Sequence, residues 1–283
     1  MRSPIIWYGG KHAQSQWILQ YVTSVKHKVY VEPFAGGASV FFHKKPSGTE
    51  VLNDINHGLY EFFKVLADTE MFARFRRMVE ALPYSRKMFH EFKESQFTET
   101  DMVKRAAGWF YVTRQSLSGG RKNWGYNRTS SKRQVSAWKN IIDRLPEIHD
   151  RLLDAQIESL DACDCIVRYD SPEALFYCDP PYVMDTRNDK SQKYEHEMTA
   201  KQHERLMETL LAIQGKAILS GYEHAVYRPL LENGWVIRKK QFHCNAAGRV
   251  RGSGLQGSGS AGRQTRTECL YLSPGIVKEN LLF

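Results

Sequence analysis

Phe176-Tyr177-Cys178-Asp179-Pro180-Pro181-Tyr182 decides how the rest of the chain is read. Its first half is a short apolar, aromatic-rich run of the kind that forms a buried strand, and it ends on an acid, two prolines and a further aromatic ring. Open α/β sheets bind ligands at the carboxyl ends of their strands, where this acid is delivered. Consecutive prolines fix φ and remove two backbone donors, so the carbonyls of the turn point at whatever occupies the crevice. A carboxylate, acceptor carbonyls and a ring face together suit a planar ligand bearing an amino group with two hydrogens, such as the exocyclic amine of a base. A rigid turn with no ligand is the plainer reading of the same residues.

The rhythm recurs on both sides. Short β-rich runs that end in Gly, Pro or Asp and precede helical patterns lie around Ile5 to Gly10, Val29 to Glu32, Val51 to Asp54 and Ala217 to Ser220. Trp235 to Phe242 and Glu268 to Leu272 read as a closing pair, and the whole predicts an α/β sheet. Between Asp54 and Gln156 the pattern turns helical, over Leu59 to Leu66, Phe72 to Leu82, Met102 to Tyr111 and Val135 to Leu153. The expected organisation is therefore a discontinuous α/β unit of residues 1–56 and 155–283, interrupted by a helical insertion at 57–154. Asn245 to Arg266, with six glycines, reads as a low-complexity loop, either disordered or ordered on a partner.

A chain of 283 residues allows one large domain or two smaller ones. With 42% apolar and 25% charged residues it belongs with globular rather than disordered or fibrous sequences. The formal net charge of +9 favours polyanionic partners, nucleic acid or a membrane surface. No apolar stretch approaches the roughly 18 residues of a membrane span, so neither a membrane helix nor a signal peptide is expected. Cys163, Cys165, Cys178, Cys244 and Cys269 contain no C-x-x-C pair, which points away from disulfides and zinc and towards a reducing cytoplasm. Cys178 reads as a small core residue. Tyr194-Glu195-His196-Glu197 with His203 fits no standard metal spacing, and no metal is expected.

Val29-Tyr30-Val31-Glu32-Pro33-Phe34-Ala35-Gly36-Gly37-Ala38-Ser39 reads as a strand, a glycine turn and a helix start capped by Ser39. It matches neither G-x-G-x-x-G nor the phosphate-loop pattern. Asp54, eighteen residues beyond Gly36 at the next strand end, is placed to accept both hydroxyls of a ribose. Trp7-Tyr8-Gly9-Gly10-Lys11 precedes an amphipathic helix with Trp17, Ile18 and Tyr21. Cations are disfavoured at a helix N-terminus, so Lys11 implies an anionic partner such as a ligand carboxylate; an exposed loop lysine is the alternative.

From Lys104 to Lys139 there are nine Lys or Arg and no acid, interleaved with Trp109, Phe110, Tyr111, Trp124, Tyr126 and Trp138. A second acid-free, basic stretch runs from Arg238 to Arg266. Either these are solvated surfaces or, as the absence of acids and the turn-like Ser116 to Ser131 favour, they bind phosphates.

In order and spacing, Trp7 to Lys11, Glu32 to Ser39, Asp54, the helical insertion and Asp179 to Tyr182 resemble the Dam-like α group of DNA adenine-N6 methyltransferases, over nearly the whole chain. That resemblance implies a Rossmann-like, S-adenosyl-L-methionine-dependent fold with an inserted helical target-recognition domain. It implies catalysis by Asp179, Pro180, Pro181 and Tyr182. Cofactor contacts would come from Trp7, Lys11, Glu32, Pro33, Phe34, Ala35, Gly36, Gly37, Ala38, Ser39, Asp54, Asp161 and Asp179. Two departures stand out: Gly36-Gly37-Ala38 replaces the commoner Gly-x-Gly, and Ala162 follows Asp161 where an aromatic is common. Ile55 or Phe34 is the substitute for packing on the cofactor's adenine. Ser220-Gly221-Tyr222-Glu223 resembles a pocket-wall motif, although strand-to-helix punctuation explains it as well.

In the insertion, Arg114, Ser118, Arg121, Lys122, Asn123 and Asn127 match the family's DNA-reading stretch, with Lys122 and Lys132 set to touch phosphate. The expected partner is double-stranded DNA, approached by a monomer or by a dimer formed on DNA, in a bacterial cytoplasm or a phage-infected cell. Rival expectations are methylation of RNA or of a protein amide nitrogen, where Asn is commoner than Asp179, and a DNA-binding protein of this fold without catalysis.

Overall fold

Ala174–Cys178, the strand β4, is buried along its whole length, so it must lie inside a sheet covered on both faces. The computed structural model describes residues 1–7, 9–127, 129–130, 132–184, 196–243 and 265–280. In it β4 pairs in parallel with β1 (Val29–Glu32) on one side and with β5 (Lys216–Gly221) on the other. Beyond β1 lie β2 (Thr49–Asn53) and β3 (Ala155–Glu158), and beyond β5 come β7 (Thr265–Leu272) and β6 (Val236–His243), giving the order β3-β2-β1-β4-β5-β7-β6. β7 runs antiparallel to both of its neighbours and the remaining pairings are parallel. This is a Rossmann-like α/β sheet. The chain moves outward from β1 to β3 and then returns to the far side of β1, so β1 and β4 bound the switch point at which such sheets bind ligands.

Strand alternation divides the interior into two cores. Leu175 and Tyr177 of β4, Tyr30 of β1 and Ile218 of β5 face one; Phe176, Cys178, Val31 and Leu219 face the other. The second core is closed by α9 (Ala162–Tyr169), α10 (Ala200–Ala212) and α11 (Arg228–Glu232). The first is continuous with the helices of the insertion: α3 (His57–Ala67), α4 (Thr69–Ala81), α5 (Arg86–Ser95), α6 (Met102–Gln115), α7 (Lys132–Asp143) and α8 (Leu145–Leu152). The helical segment and the sheet thus share an apolar interior, and no solvated seam divides Leu52 from Phe62 and Phe110.

Local chemistry sets the helix starts. The side chains of Asn56, Asp68 and Asp101 accept the N–H groups of Leu59, Met71 and Lys104, and Thr199 forms a reciprocal cap with Gln202. Three expectations need correction. Ile5 to Gly10 contains no strand among its described residues: bends and a turn, with Gly9 at φ +74°, replace it. Ala155–Glu158, which offers only one large aliphatic side chain, takes the place at the sheet edge instead. Val135 to Leu153 is two helices, because Pro146 belongs in a first turn and starts α8 anew.

Candidate active site

At the β1–β4 switch point the strand ends open into a cleft. β1 contributes Glu32 and the turn that follows it, β2 contributes Asp54 and Ile55, and β4 contributes Asp179. Residues of the N-terminal turns, Trp7 and Lys11, close one side.

The turn after β1 is built around a left-handed backbone at Gly36 (φ +47°) and Ala38 (φ +49°). A side chain at Gly36 would come within 2.8 Å of the Trp7 indole, so Gly36 is required by close approach and favoured by its dihedral. Ala38 is fully buried behind the cleft and does not line it, whereas Pro33, Phe34, Ala35, Gly36, Gly37 and Ser39 do. Ser39 is not a helix cap: it is the first residue of α2 (Ser39–His43), and no side chain caps that helix. Asp54 anchors the turn, accepting Gly36 N–H at 2.8 Å and Asn56 N–H at 2.9 Å, one on each oxygen, which leaves a lone pair on each for a ligand hydroxyl. Burial pushes its carboxyl above the ordinary range.

Glu32 is buried, and Oε1 accepts both Tyr30 O–H (2.9 Å) and Phe41 N–H (2.7 Å), bolting β1 to α2. Burial dominates these bonds and pushes its carboxyl up to about 8. Asp179 lies beyond the end of β4 with Lys11 Nζ at 2.8 Å from Oδ1, and Lys11 also donates to the Gly9 carbonyl. The anionic partner expected for Lys11 is therefore a carboxylate of the protein. Burial raises the pKa of Asp179, Lys11 opposes that, and the nearby Glu268 adds to it. Pro180 is buried, Pro181 lines the cleft, and Tyr182 lies behind Asp179 with Lys11 Nζ 4.8 Å from its ring centre.

Several residues of the site carry no motif. Asn53, fully buried, donates to the carbonyls of Pro33 (2.9 Å) and Leu160 (3.1 Å) and ties together two loops of the cleft. Asp161 lines the cleft but also caps α9, and Arg205 Nη1 sits 3.0 Å from its Oδ1. His196, Glu197, Met198, Gln202 and Arg205 complete the wall from the α10 side. His203 is buried edge-on to Tyr227, while Tyr194 and Glu195 lie outside the described residues. Among the described residues no group of three His, Cys, Asp or Glu is placed to hold a metal ion, and no helix is long and apolar enough to cross a membrane.

The basic segment is less uniform than its composition. Arg105 is spent on Glu61, and Arg114 is packed inside, donating to the Ala137 carbonyl with its pKa lowered by burial to about 10. Trp109, Phe110, Tyr111 and Trp138 belong to the core. Between α6 and α7 the chain folds back as a hairpin, with Gly125 N–H on Gln115 O and Leu117 N–H on Asn123 O. Lys122, Asn123, Asn127 and Lys132 are exposed there, and Arg121 lies over Trp109 and donates to Gln96. Ser118 occupies the tip, and its side chain lies outside the described residues. At that tip Gly119, at φ +73°, meets the Ile6 carbonyl so closely that a Cβ would fall 2.2 Å from it. Of the second basic stretch, residues 244–264, which include Cys244 and most of the glycine-rich loop, lie outside the described residues, and Lys239 is paired with Glu223.

The family model of the D12 class N6 adenine-specific DNA methyltransferases matches residues 7–241, most of the chain and every motif of the cleft. The chain belongs to that family. This adenine-specific DNA methyltransferase is 25% identical over 186 residues to the type II methyltransferase M.CviBI of Paramecium bursaria Chlorella virus NC1A, covering 64% of this chain and 69% of the relative. It is also 25% identical over 209 residues to the type II methyltransferase M1.LlaDCHI of Lactococcus lactis subsp. cremoris, covering 68% and 69%. In the D12 methyltransferase the glycine turn, Asp54 and Asp179 thus share one cleft with Lys11.

Proposed function

We propose that the cleft binds S-adenosyl-L-methionine and that Asp179, Pro180, Pro181 and Tyr182 receive an adenine extruded from double-stranded DNA. The observation that carries this is the arrival of Asp179, after β4, in the cleft that also holds Gly36, after β1, and Asp54, after β2, at the switch point that β1 and β4 bound. The donor set fits the cofactor: Glu32, Asp54, Asp161 and Asp179 surround the space with acceptors suited to hydroxyls and to a cation, and Phe34, Ile55 and Leu160 offer apolar surface. Bound there, S-adenosyl-L-methionine supplies an electrophilic methyl group on a sulfonium.

The protein's part is orientation and electrostatics. The lone pair of an adenine amino nitrogen is conjugated into the ring. Hydrogen bonds from both amino hydrogens, to Asp179 and to the Pro180 carbonyl, favour a tetrahedral nitrogen whose lone pair is localised. Lys11 occupies Oδ1, and a carboxylate retains lone pairs for this second role. The same acceptors stabilise positive charge as it develops on nitrogen, and holding both reactants in line supplies much of the acceleration. Tyr182 stacks on the base, and extrusion costs a few kcal/mol, offset by that stacking and by contacts from the recognition surface.

The helical segment 57–154 serves as the target-recognition domain in this reading. Its hairpin approaches DNA with Arg121, Asn123 and Asn127 towards base edges and Lys122 and Lys132 towards phosphates. Incubation with labelled S-adenosyl-L-methionine and DNA, followed by digestion to nucleosides, should yield N6-methyladenine. Its absence while the cofactor is bound would falsify the reading.

A further inference from the structure

Glu268 sits on β7, 86 residues beyond Tyr182 in the chain, and no motif marks it. It is only 8% exposed, at the point where β7 passes from the exposed Arg266 and Thr267 into the buried Cys269 to Leu272, so it must have a partner that justifies its burial. That partner is the Tyr182 hydroxyl, which donates to Oε2 at 2.9 Å. The ring is held on two further sides: Lys11 Nζ lies 4.8 Å from its centre, and Tyr222 meets it edge-on at 4.8 Å and 76°. Lys11 belongs to the N-terminal turns and Tyr222 follows β5; the phenol end is held from the antiparallel part of the sheet by Glu268 and also faces the Asp179 carboxylate.

We propose that Glu268 is a positioning residue for Tyr182, fixing the ring before the target adenine arrives so that it serves as a preformed stacking platform. This inference rests on the reading above that Tyr182 stacks on the extruded base. A ring held at its hydroxyl and flanked by a cation and an aromatic edge has already given up its rotational freedom. The ordering cost is then met on folding and not on base entry. Loss of the hydrogen bond should weaken capture of the extruded base and leave cofactor binding alone, because Glu268 does not line the cleft.

The test uses the full-length enzyme and a duplex carrying its recognised word with 2-aminopurine at the target adenine. Methylation-sensitive sequencing of DNA from expressing cells defines that word. In the wild type the extruded probe is quenched by the Tyr182 ring, and Tyr182→Ala makes it bright. Glu268→Ala and Tyr182→Phe should each brighten the probe part-way and lower kcat about tenfold, the scale of a lost hydrogen bond to a charged group. The double variant should fall no further than Tyr182→Phe alone. Glu268→Gln, which keeps an acceptor oxygen, should recover most of what alanine loses, and cofactor affinity should stay within twofold throughout. Should alanine at 268 not fold, Tyr182→Phe and Glu268→Gln carry the same contrast. Wild-type quenching and turnover in Tyr182→Phe, fully additive losses, or no rescue by glutamine would overturn the proposal. An unchanged signal in Tyr182→Ala would instead sink the stacking role itself.

Discussion

Lys11 Nζ lies 2.8 Å from Asp179 Oδ1 with both side chains largely withdrawn from water. Removing either partner leaves an uncompensated charge beside the proposed base pocket, so the pair should behave as one unit under mutation.

Asp179→Ala removes the acceptor proposed for one amino hydrogen and strands Lys11. Turnover to N6-methyladenine should drop at least about a hundredfold, the usual scale for deleting a preorganised electrostatic group. Nucleoside analysis after single-turnover reactions measures this, and unaltered turnover would remove Asp179 from the mechanism.

The pH dependence follows from the direction of the Asp179 shift. Burial raises its pKa and the Lys11 charge opposes the rise. Only the carboxylate accepts the amino hydrogen without offering a proton of its own. The acid limb of kcat/KM should therefore fall at a higher pH than an ordinary aspartate would give, and Lys11→Met should move it higher still. A limb that shifts downward in Lys11→Met would contradict the ion pair's role.

Gly36→Ala places a methyl group in a left-handed backbone at φ +47°, 2.8 Å from the Trp7 indole. Strain of this kind costs about 1 to 3 kcal/mol. The melting temperature should fall and cofactor affinity should weaken at least tenfold. Adding Trp7→Ala should restore only part of the stability, since the contact is relieved and the dihedral is not.

Glu32, with its carboxyl pushed up to about 8 in the fold, gives a stability prediction. Between the ordinary glutamate value and that one, the native chain binds a proton that the unfolded chain does not. Stability contributed by Glu32 is therefore complete at acid pH and lost as pH rises towards the folded value. Glu32→Gln keeps an acceptor for Tyr30 and Phe41, and should raise the melting temperature at pH 8 to 9 while changing little near pH 5. Thermal melts across that range decide it.

The parts legible in the sequence are those whose chemistry is local. Asp179 and the glycine turn after β1 sit at strand ends, where an apolar run stops abruptly on residues a strand cannot use, so type and position together betray them. Glu268, Arg205 and Asn53 escaped because their partners arrive from distant segments: Asn53 reaches Leu160 across 107 residues. Helix α5 was missed because only Phe89 is fully buried in it, too little for a periodic signal. Composition misled in α6, where Arg105 and Arg114 read as surface charge but are turned to Glu61 and to the Ala137 carbonyl. A residue's sign says nothing of which way a helix turns it.

The contact between Gly119 and the Ile6 carbonyl bears on how such enzymes diversify. A recognition turn transplanted from a relative with another DNA preference would have to bring a residue without a side chain to that spot, or a matching start of the chain. On the proposed reading that this turn contacts DNA, new word specificity is inherited together with the peptide that carries Trp7, as a co-adapted pair and not as a free cassette.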